Sequence, residues 1–162
     1  IEMSKKFISN QKIKFYILGS NLKKKNSYAI STKILQKWLK DSNIKKLPFT
    51  NNIVPILKEM DCLVLPSYRE GMSKSLMEGA AMGKILIASN VPGCREVVKN
   101  NYNGFLCKPK NTLSLIYAVN KVIKLSYKKK LEFMKNNKKL AKSKFDENLV
   151  IDLYSRIILE LK

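Results

Sequence analysis

Glu70 and Glu78 stand eight positions apart in the stretch PSYREGMSKSLMEGAAMGK, residues 66–84, with Gly71, Ser73 and Ser75 between them. Carboxylates accept hydrogen bonds from sugar hydroxyls. A glycine lets the backbone approach a ligand closely. Ser73 or Ser75 can cap a helix running through Leu76 and Met82, and a helix start offers unpaired N–H groups and partial positive charge, which suits a diphosphate. The stretch can therefore grip a charged, hydroxyl-rich ligand. Spacing alone leaves a second reading open. Ser75-Leu76-Met77-Glu78 also fits a capping box, in which Glu78 bonds back to the helix start, and Glu70 beside Arg69 fits a solvated charge pair.

Several other chemistries are excluded. The sequence has no histidine. That removes a His general base, a Ser-His triad and His-ligated zinc together. Cys62, Cys94 and Cys107 are widely spaced, with no C-x-x-C pair. An odd count argues against a disulfide framework and for buried free thiols in a reducing compartment. The remaining chemistry belongs to carboxylates, lysines, hydroxyls and backbone amides.

The elements that must hold these residues follow from periodicity. IKFYILGSN (13–21) is a buried strand entering a loop. The stretch 27–43 carries Ile30, Ile34, Leu35, Trp38 and Leu39 at helical spacing. IKKLPF, CLVLP and KILIAS are further strands, and 51–61 is a short helix with Pro55 near its first turn. NVPGCREVV is a turn and short helix, and NNYNGFLCKP an Asn-Gly turn and small strand. Three packing helices close the chain at 111–125, 127–142 and 146–162, the last with Leu149, Leu153, Ile157 and Leu161 on one stripe. Alternating strands and helices make an α/β fold around a parallel sheet, Rossmann-like with helices on both faces. Ligands in such sheets bind beyond the carboxyl ends of the strands. The loops after IKFYILG, KKLPF and CLVLP therefore matter most.

The chain has 162 residues, 45% hydrophobic, with formal net charge +20. That is one domain's length and enough apolar content for a core. No apolar run approaches the roughly 20 residues needed to span a bilayer, and no signal peptide is visible. The positive charge invites a nucleic-acid reading, but it is nearly all lysine, the arginines being Arg69, Arg95 and Arg156. Bidentate phosphate and base readout favours arginine. A lysine-rich surface is still attracted to anionic lipid and anionic substrates.

DCLVLPSYREGMSKSLMEGAAMGKILIASNVPGCREVVKNNYNGFLCKP resembles the C-terminal, donor-binding half of glycosyltransferase family 4, retaining enzymes of GT-B architecture. Asp61, Pro66, Ser67, Glu70, Gly71, Glu78, Gly83, Gly93, Glu96, Asn103 and Gly104 match the family pattern in order. NVPGCREVV is similar to the turn in bacterial enzymes that extend undecaprenyl-diphosphate-linked glycans.

The resemblance implies roles. Glu70 would lie by the transferred sugar as the catalytic residue. The amides around Gly71, Met72 and Ser73 would face that sugar and the distal phosphate, with Ser75 and Leu76 near the diphosphate. Glu78 would accept hydrogen bonds from the ribose. Gly19 would belong to the nucleotide loop, and Phe49 and Thr50 would meet the base, although Thr50 stands where the family more often has Gly. The family commonly needs no metal, so neither metal nor other cofactor is expected.

Two departures stand out. Gly79 replaces the usual Ala after Glu78, at up to ~1 kcal/mol of helix stability. The family's first strand and its basic phosphate-clamping loop have no counterpart, nor has the N-terminal acceptor domain. Residues 1–162 thus read as a single partial domain. The expected parent is a glycosyltransferase that moves a sugar, with retention, from a UDP-sugar to a lipid-linked or surface-polysaccharide acceptor. It would act as a cytoplasmic protein, peripheral at the inner membrane face. A non-catalytic nucleotide-sugar-binding module is the alternative, and a basic nucleic-acid binder a further one.

Overall fold

A computed structural model of the chain describes residues 1–10, 12–19, 31–40 and 42–160. They fall into two compact units, Ile1–Ile53 and Val54–Lys162. The first contains α1 (Glu2–Lys5), β1 (Phe15–Leu18), α2 (Thr32–Lys40) and β2 (Ile44–Leu47). β1 and β2 pair in parallel, Phe15 opposite Ile44 and Leu18 opposite Leu47. The helix expected over 27–43 is realised as α2. Ser27–Ile30 and Asp41 lie outside the described residues.

The second unit runs α3 (Val54–Lys58), β3 (Cys62–Leu65), α4 (Lys74–Ala81), β4 (Ile85–Ser89), α5 (Pro92–Val97), β5 (Gly104–Cys107), α6 (Thr112–Ile123), α7 (Tyr127–Lys144) and α8 (Glu147–Glu160). Its three strands are parallel in the order β3-β4-β5. Every residue of central β4 is buried. That explains why ILIAS reads as a continuous apolar run rather than an alternating one.

One sheet face presents Leu63, Leu65, Leu86, Ala88 and Leu106. They pack with Leu76 and Ala80 of α4, Cys94 and Val97 of α5, and Ala141 of α7. On the other face Phe105 meets Lys121 of α6 at 5.5 Å. Helices therefore cover both faces, as the alternation of elements requires.

Two devices fix how α4 and α7 sit. α4 ends at Gly83 in the left-handed region, φ 65°. Lys84 N–H donates to Gly79 O and Gly83 N–H to Ala80 O, both at 2.8 Å, which closes a Schellman turn and aims the chain into β4. α7 crosses the amino end of the sheet through Asn137, which is fully buried. Its Nδ2 donates to Lys84 O (2.9 Å) and Asn103 O (2.7 Å), and its Oδ1 accepts from Asn103 Nδ2 (2.9 Å). Asn103 Oδ1 in turn accepts from Lys99 N–H at 2.7 Å. The buried amides thus satisfy each other and the strand entries.

Two expectations fail. β1, read from its apolar run as a buried strand, buries none of its four residues and exposes Tyr16, Ile17 and Leu18, because a short apolar run reports strand type and not what covers it; Ser20 and Asn21 at its end lie outside the described residues. The α8 stripe does not bury: Leu149 and Ile157 are exposed. Periodicity reports that a helix has an apolar side, not that a neighbour covers it. Leu161 lies outside the described residues, and no side-chain placement is described for Leu153. Among the described residues no helix is long and apolar enough to cross a membrane.

Candidate functional site

Pro66 follows β3, and residues 67–72 carry the chain from the carboxyl end of the strand to α4 without regular structure. Ser73 caps α4. It is extended (φ −80°, ψ 109°), 2% exposed, and its Oγ accepts from Leu76 N–H at 3.5 Å. Ser75 Oγ lies 3.1 Å from Ser73 Oγ, which steadies the cap. Met77 N–H donates to Ser73 O. Among the described residues, the backbone N–H groups from Tyr68 through Ser75 find no protein acceptor. A helix start and the loop before it thus present a run of donors at the strand's carboxyl end.

The cap decides between the two readings of Glu78. A capping box needs Ser75 at the cap with Glu78 at the third helical position. Ser73 is the cap, so Leu76 holds that position and Glu78 is the fifth helical residue. Its carboxylate is one-third exposed, and its ion partner is Lys74 Nζ at 3.9 Å on the same helix, a weak solvated contact. The capping-box reading is therefore wrong. Glu78 also lines an open groove of about 390 Å³ with Met77, Lys138, Lys142 and Phe145.

Glu70 is half-buried. Arg69 forms no ion pair with it, so the charge-pair reading lacks its contact among the described residues. Glu70 lies near Cys94 of α5. Burial pushes the Cys94 thiol above its usual pKa, and the Glu70 carboxylate adds to the rise.

What holds the Glu70 loop is Gly93, which the sequence placed in a pattern but gave no task. A Cβ on Gly93 would overlap the carbonyl oxygens of Glu70 and Gly71 and stand 2.5 Å from Gly71 C. The start of α5 is thus seated directly on the Glu70–Gly71 backbone. Gly71 itself has nothing within 4 Å of where a Cβ would be, so the chain's own packing does not demand glycine there.

The other expected residues are placed as follows. Met72 is 62% exposed. Ser75 is half-buried. The Leu76 side chain is fully buried, so Leu76 faces a ligand only through backbone, and its N–H is already bonded to Ser73. Gly19, Phe49 and Thr50 belong to the first unit. Gly19 follows β1 and Pro48–Thr50 follow β2, so all sit at the carboxyl edge of that parallel pair. Phe49 is exposed, and Thr50 Oγ1 donates to Asn52 O (3.1 Å) and accepts from Asn52 N–H (3.0 Å). Among the described residues no group of three or more His, Cys, Asp or Glu side chains is placed to hold a metal ion.

Residues 1–140 match the family described as Glycosyl transferases group 1. Over 125 residues the chain is 33% identical to a Campylobacter jejuni protein, N,N'-diacetylbacillosaminyl-diphospho-undecaprenol alpha-1,3-N-acetylgalactosaminyltransferase, covering 75% of this chain and 33% of the relative. It is 37% identical over 101 residues to an Escherichia coli UDP-Gal:alpha-D-GlcNAc-diphosphoundecaprenol alpha-1,3-galactosyltransferase, covering 60% of this chain and 25% of that one. The chain therefore spans a quarter to a third of these relatives. Among solved structures, Anabaena HepE in complex with UDP superposes with a TM-score of 0.82 at 17% identity, over 98% of this chain and 44% of that one. That likeness establishes the fold, the Rossmann-like half of a GT-B glycosyltransferase.

Proposed function

The chain belongs to the group 1 glycosyl transferases, and from that premise we propose that it is the donor-binding part of an enzyme that transfers a sugar, with retention, from a UDP-sugar to a lipid-linked glycan. The observation that carries this is the run of N–H groups from Tyr68 to Ser75, which find no acceptor among the described residues, with Glu70 inside that run and Glu78 following it on α4. Breaking the bond between the sugar's anomeric carbon and the diphosphate oxygen leaves a cation-like sugar and a strongly anionic diphosphate. Fixed donors aimed at that anion lower the barrier.

Each residue then has a task. The amides of Gly71, Met72 and Ser73 receive the sugar and distal phosphate, and the start of α4 at Ser75 receives the diphosphate. Leu76 contributes the buried anchor of that helix start, its own amide being used by the cap. Glu70 stands beside the reacting sugar, and Glu78 accepts the ribose hydroxyls. For Gly19, Phe49 and Thr50 of the first unit, a nucleotide-facing role rests on the family resemblance alone. The acceptor hydroxyl attacks the face the diphosphate leaves, and its proton passes to the departing phosphate oxygen. Charge stabilisation by amides and lysines replaces a metal.

The acceptor class rests on the two relatives, both named for diphospho-undecaprenol-linked substrates. The donor base rests on the Escherichia coli relative's UDP-Gal and on the UDP-bound HepE complex. An acceptor of that kind puts the enzyme at the cytoplasmic membrane face. The test is transfer from radiolabelled UDP-sugars to polyprenyl-diphosphate-linked saccharides by the full-length protein. Labelled lipid product with the anomeric configuration of the donor is expected. Saturable UDP-sugar binding without any product would instead make the protein a nucleotide-sugar-binding module.

A further inference from the structure

Residues 97–131 contain no Asp or Glu and eight lysines. They form β5, the whole of α6 and the first turn of α7. On α6 one stripe faces outward: Leu113 is 75% exposed and Tyr117 64%, with Lys121 and Lys124 following at helical spacing. Tyr127, at the start of α7, is 77% exposed. Lys121 Nζ sits 4.8 Å from the Tyr117 ring centroid and 5.5 Å from that of Phe105. Phe105, Tyr117, Lys121, Lys124 and Leu125 line an open groove of about 570 Å³. The stripe begins at the carboxyl edge of the sheet, where Lys110 Nζ lies 5.3 Å from the ring of Tyr68 in the Glu70 loop.

We infer that this α6–α7 face docks the protein on an anionic bilayer, with Tyr117, Tyr127 and Leu113 entering the headgroup layer and Lys121 and Lys124 on lipid phosphates. The argument is charge complementarity joined to chemistry. Lysines interleaved with tyrosine and leucine suit an interface that is anionic outside and apolar within. A second copy of a +20 chain would meet like charge. A nucleic-acid groove would favour arginine, and residues 97–131 have none. The inference rests on the proposed lipid-linked acceptor for its purpose, because the Leu113 end of this face lies at the sheet edge that holds the Glu70 loop.

The test uses the full-length protein and sedimentation with vesicles of phosphatidylcholine alone or mixed with phosphatidylglycerol. Binding to the mixed vesicles only, weakening as salt rises, is expected. Lys121→Gln and Lys124→Gln should each weaken it about fivefold. Tyr117→Ser with Tyr127→Ser should remove the part that survives high salt. Lys139→Gln with Lys144→Gln, at least about 18 Å further along α7 from Tyr127 at 1.5 Å per residue, should leave binding within twofold. Equal loss in that control pair would overturn the inference in favour of net charge alone. So would equal binding to neutral vesicles. Duplex DNA that displaces the vesicles and itself binds worse to the Lys121 and Lys124 variants would assign the face to nucleic acid. Transfer to a short, water-soluble acceptor should be unchanged in all face variants. If the unaltered protein shows no such transfer while vesicle binding behaves as stated, the docking face stands and the proposed function falls.

Discussion

Glu70 and Glu78 are set in different surroundings, and their substitutions should separate. Glu78 projects from the fifth position of α4, one-third exposed, with only a long contact to Lys74. If it holds the ribose, Glu78→Ala loses charge-assisted hydrogen bonds of about 1.5–3 kcal/mol. Donor KM should rise roughly tenfold to a hundredfold, with kcat nearly unchanged. Glu70→Ala should instead cut kcat far more than it raises KM if, as proposed, its partner is the reacting sugar. Steady-state kinetics on both variants of the full-length protein check this. Gly93 belongs to the same scale. Adding its one methyl forces Glu70 and Gly71 to move, because the obstacles are backbone carbonyls and not the tips of flexible side chains. Gly93→Ala should lower the thermal midpoint through overpacking and, in addition, lower kcat per folded molecule at least tenfold, since a 1 Å misplacement of a reacting group costs on the order of a hundredfold. A purely structural role would lower stability and leave kcat per folded molecule intact. Of these three residues, the two carboxylates were legible in the sequence because their type and spacing carry chemistry. The seat under them was not, because a glycine's task depends on which backbone packs against it, and the Gly71 backbone is 22 positions earlier in the chain.

At the scale of elements, α4 is held at both ends by local chemistry and α7 by two amides. The Ser73 cap and the Gly83 turn follow from residue types that favour those positions. The sequence allowed Ser73 or Ser75 as the cap, and the choice moved Glu78 from a cap partner to a side chain held only by a long contact to Lys74. The Asn137 lock could not be read from sequence. Asn in a lysine-rich helix gives no periodic signal, and its partners lie 34 and 53 positions away. Asn137→Leu would leave Lys84 O, Asn103 O and Asn103 Nδ2 short of partners in a buried site. Each unsatisfied group costs about 1–3 kcal/mol. Denaturant midpoints should therefore show a loss of several kcal/mol, whereas Asn136→Leu, at a half-buried neighbour whose bond to Tyr102 O is open to solvent, should cost far less. The same contrast explains α8. Its apolar stripe was legible, but what covers a stripe is a property of neighbours, and Leu149 and Ile157 stand exposed.

For the whole molecule, alternation of strands and helices was enough to give the parallel α/β fold, because consecutive apolar runs and turn residues are local. The claim that lysines and amides stand in for a metal also belongs here. Transfer by the full-length protein should survive a strong chelator without loss. Activity that disappears in chelator and returns with Mn²⁺ or Mg²⁺ would assign the diphosphate to a metal instead. The central claim is narrower: the loop and helix start over 67–75 grip a diphosphate. Calorimetric titration of the full-length protein with UDP, UMP and uridine tests it directly. Each charge-assisted phosphate contact contributes about 1.5–3 kcal/mol, so UDP should bind roughly tenfold to a hundredfold more tightly than UMP, and uridine more weakly again. Equal affinity for UDP and uridine would contradict the account.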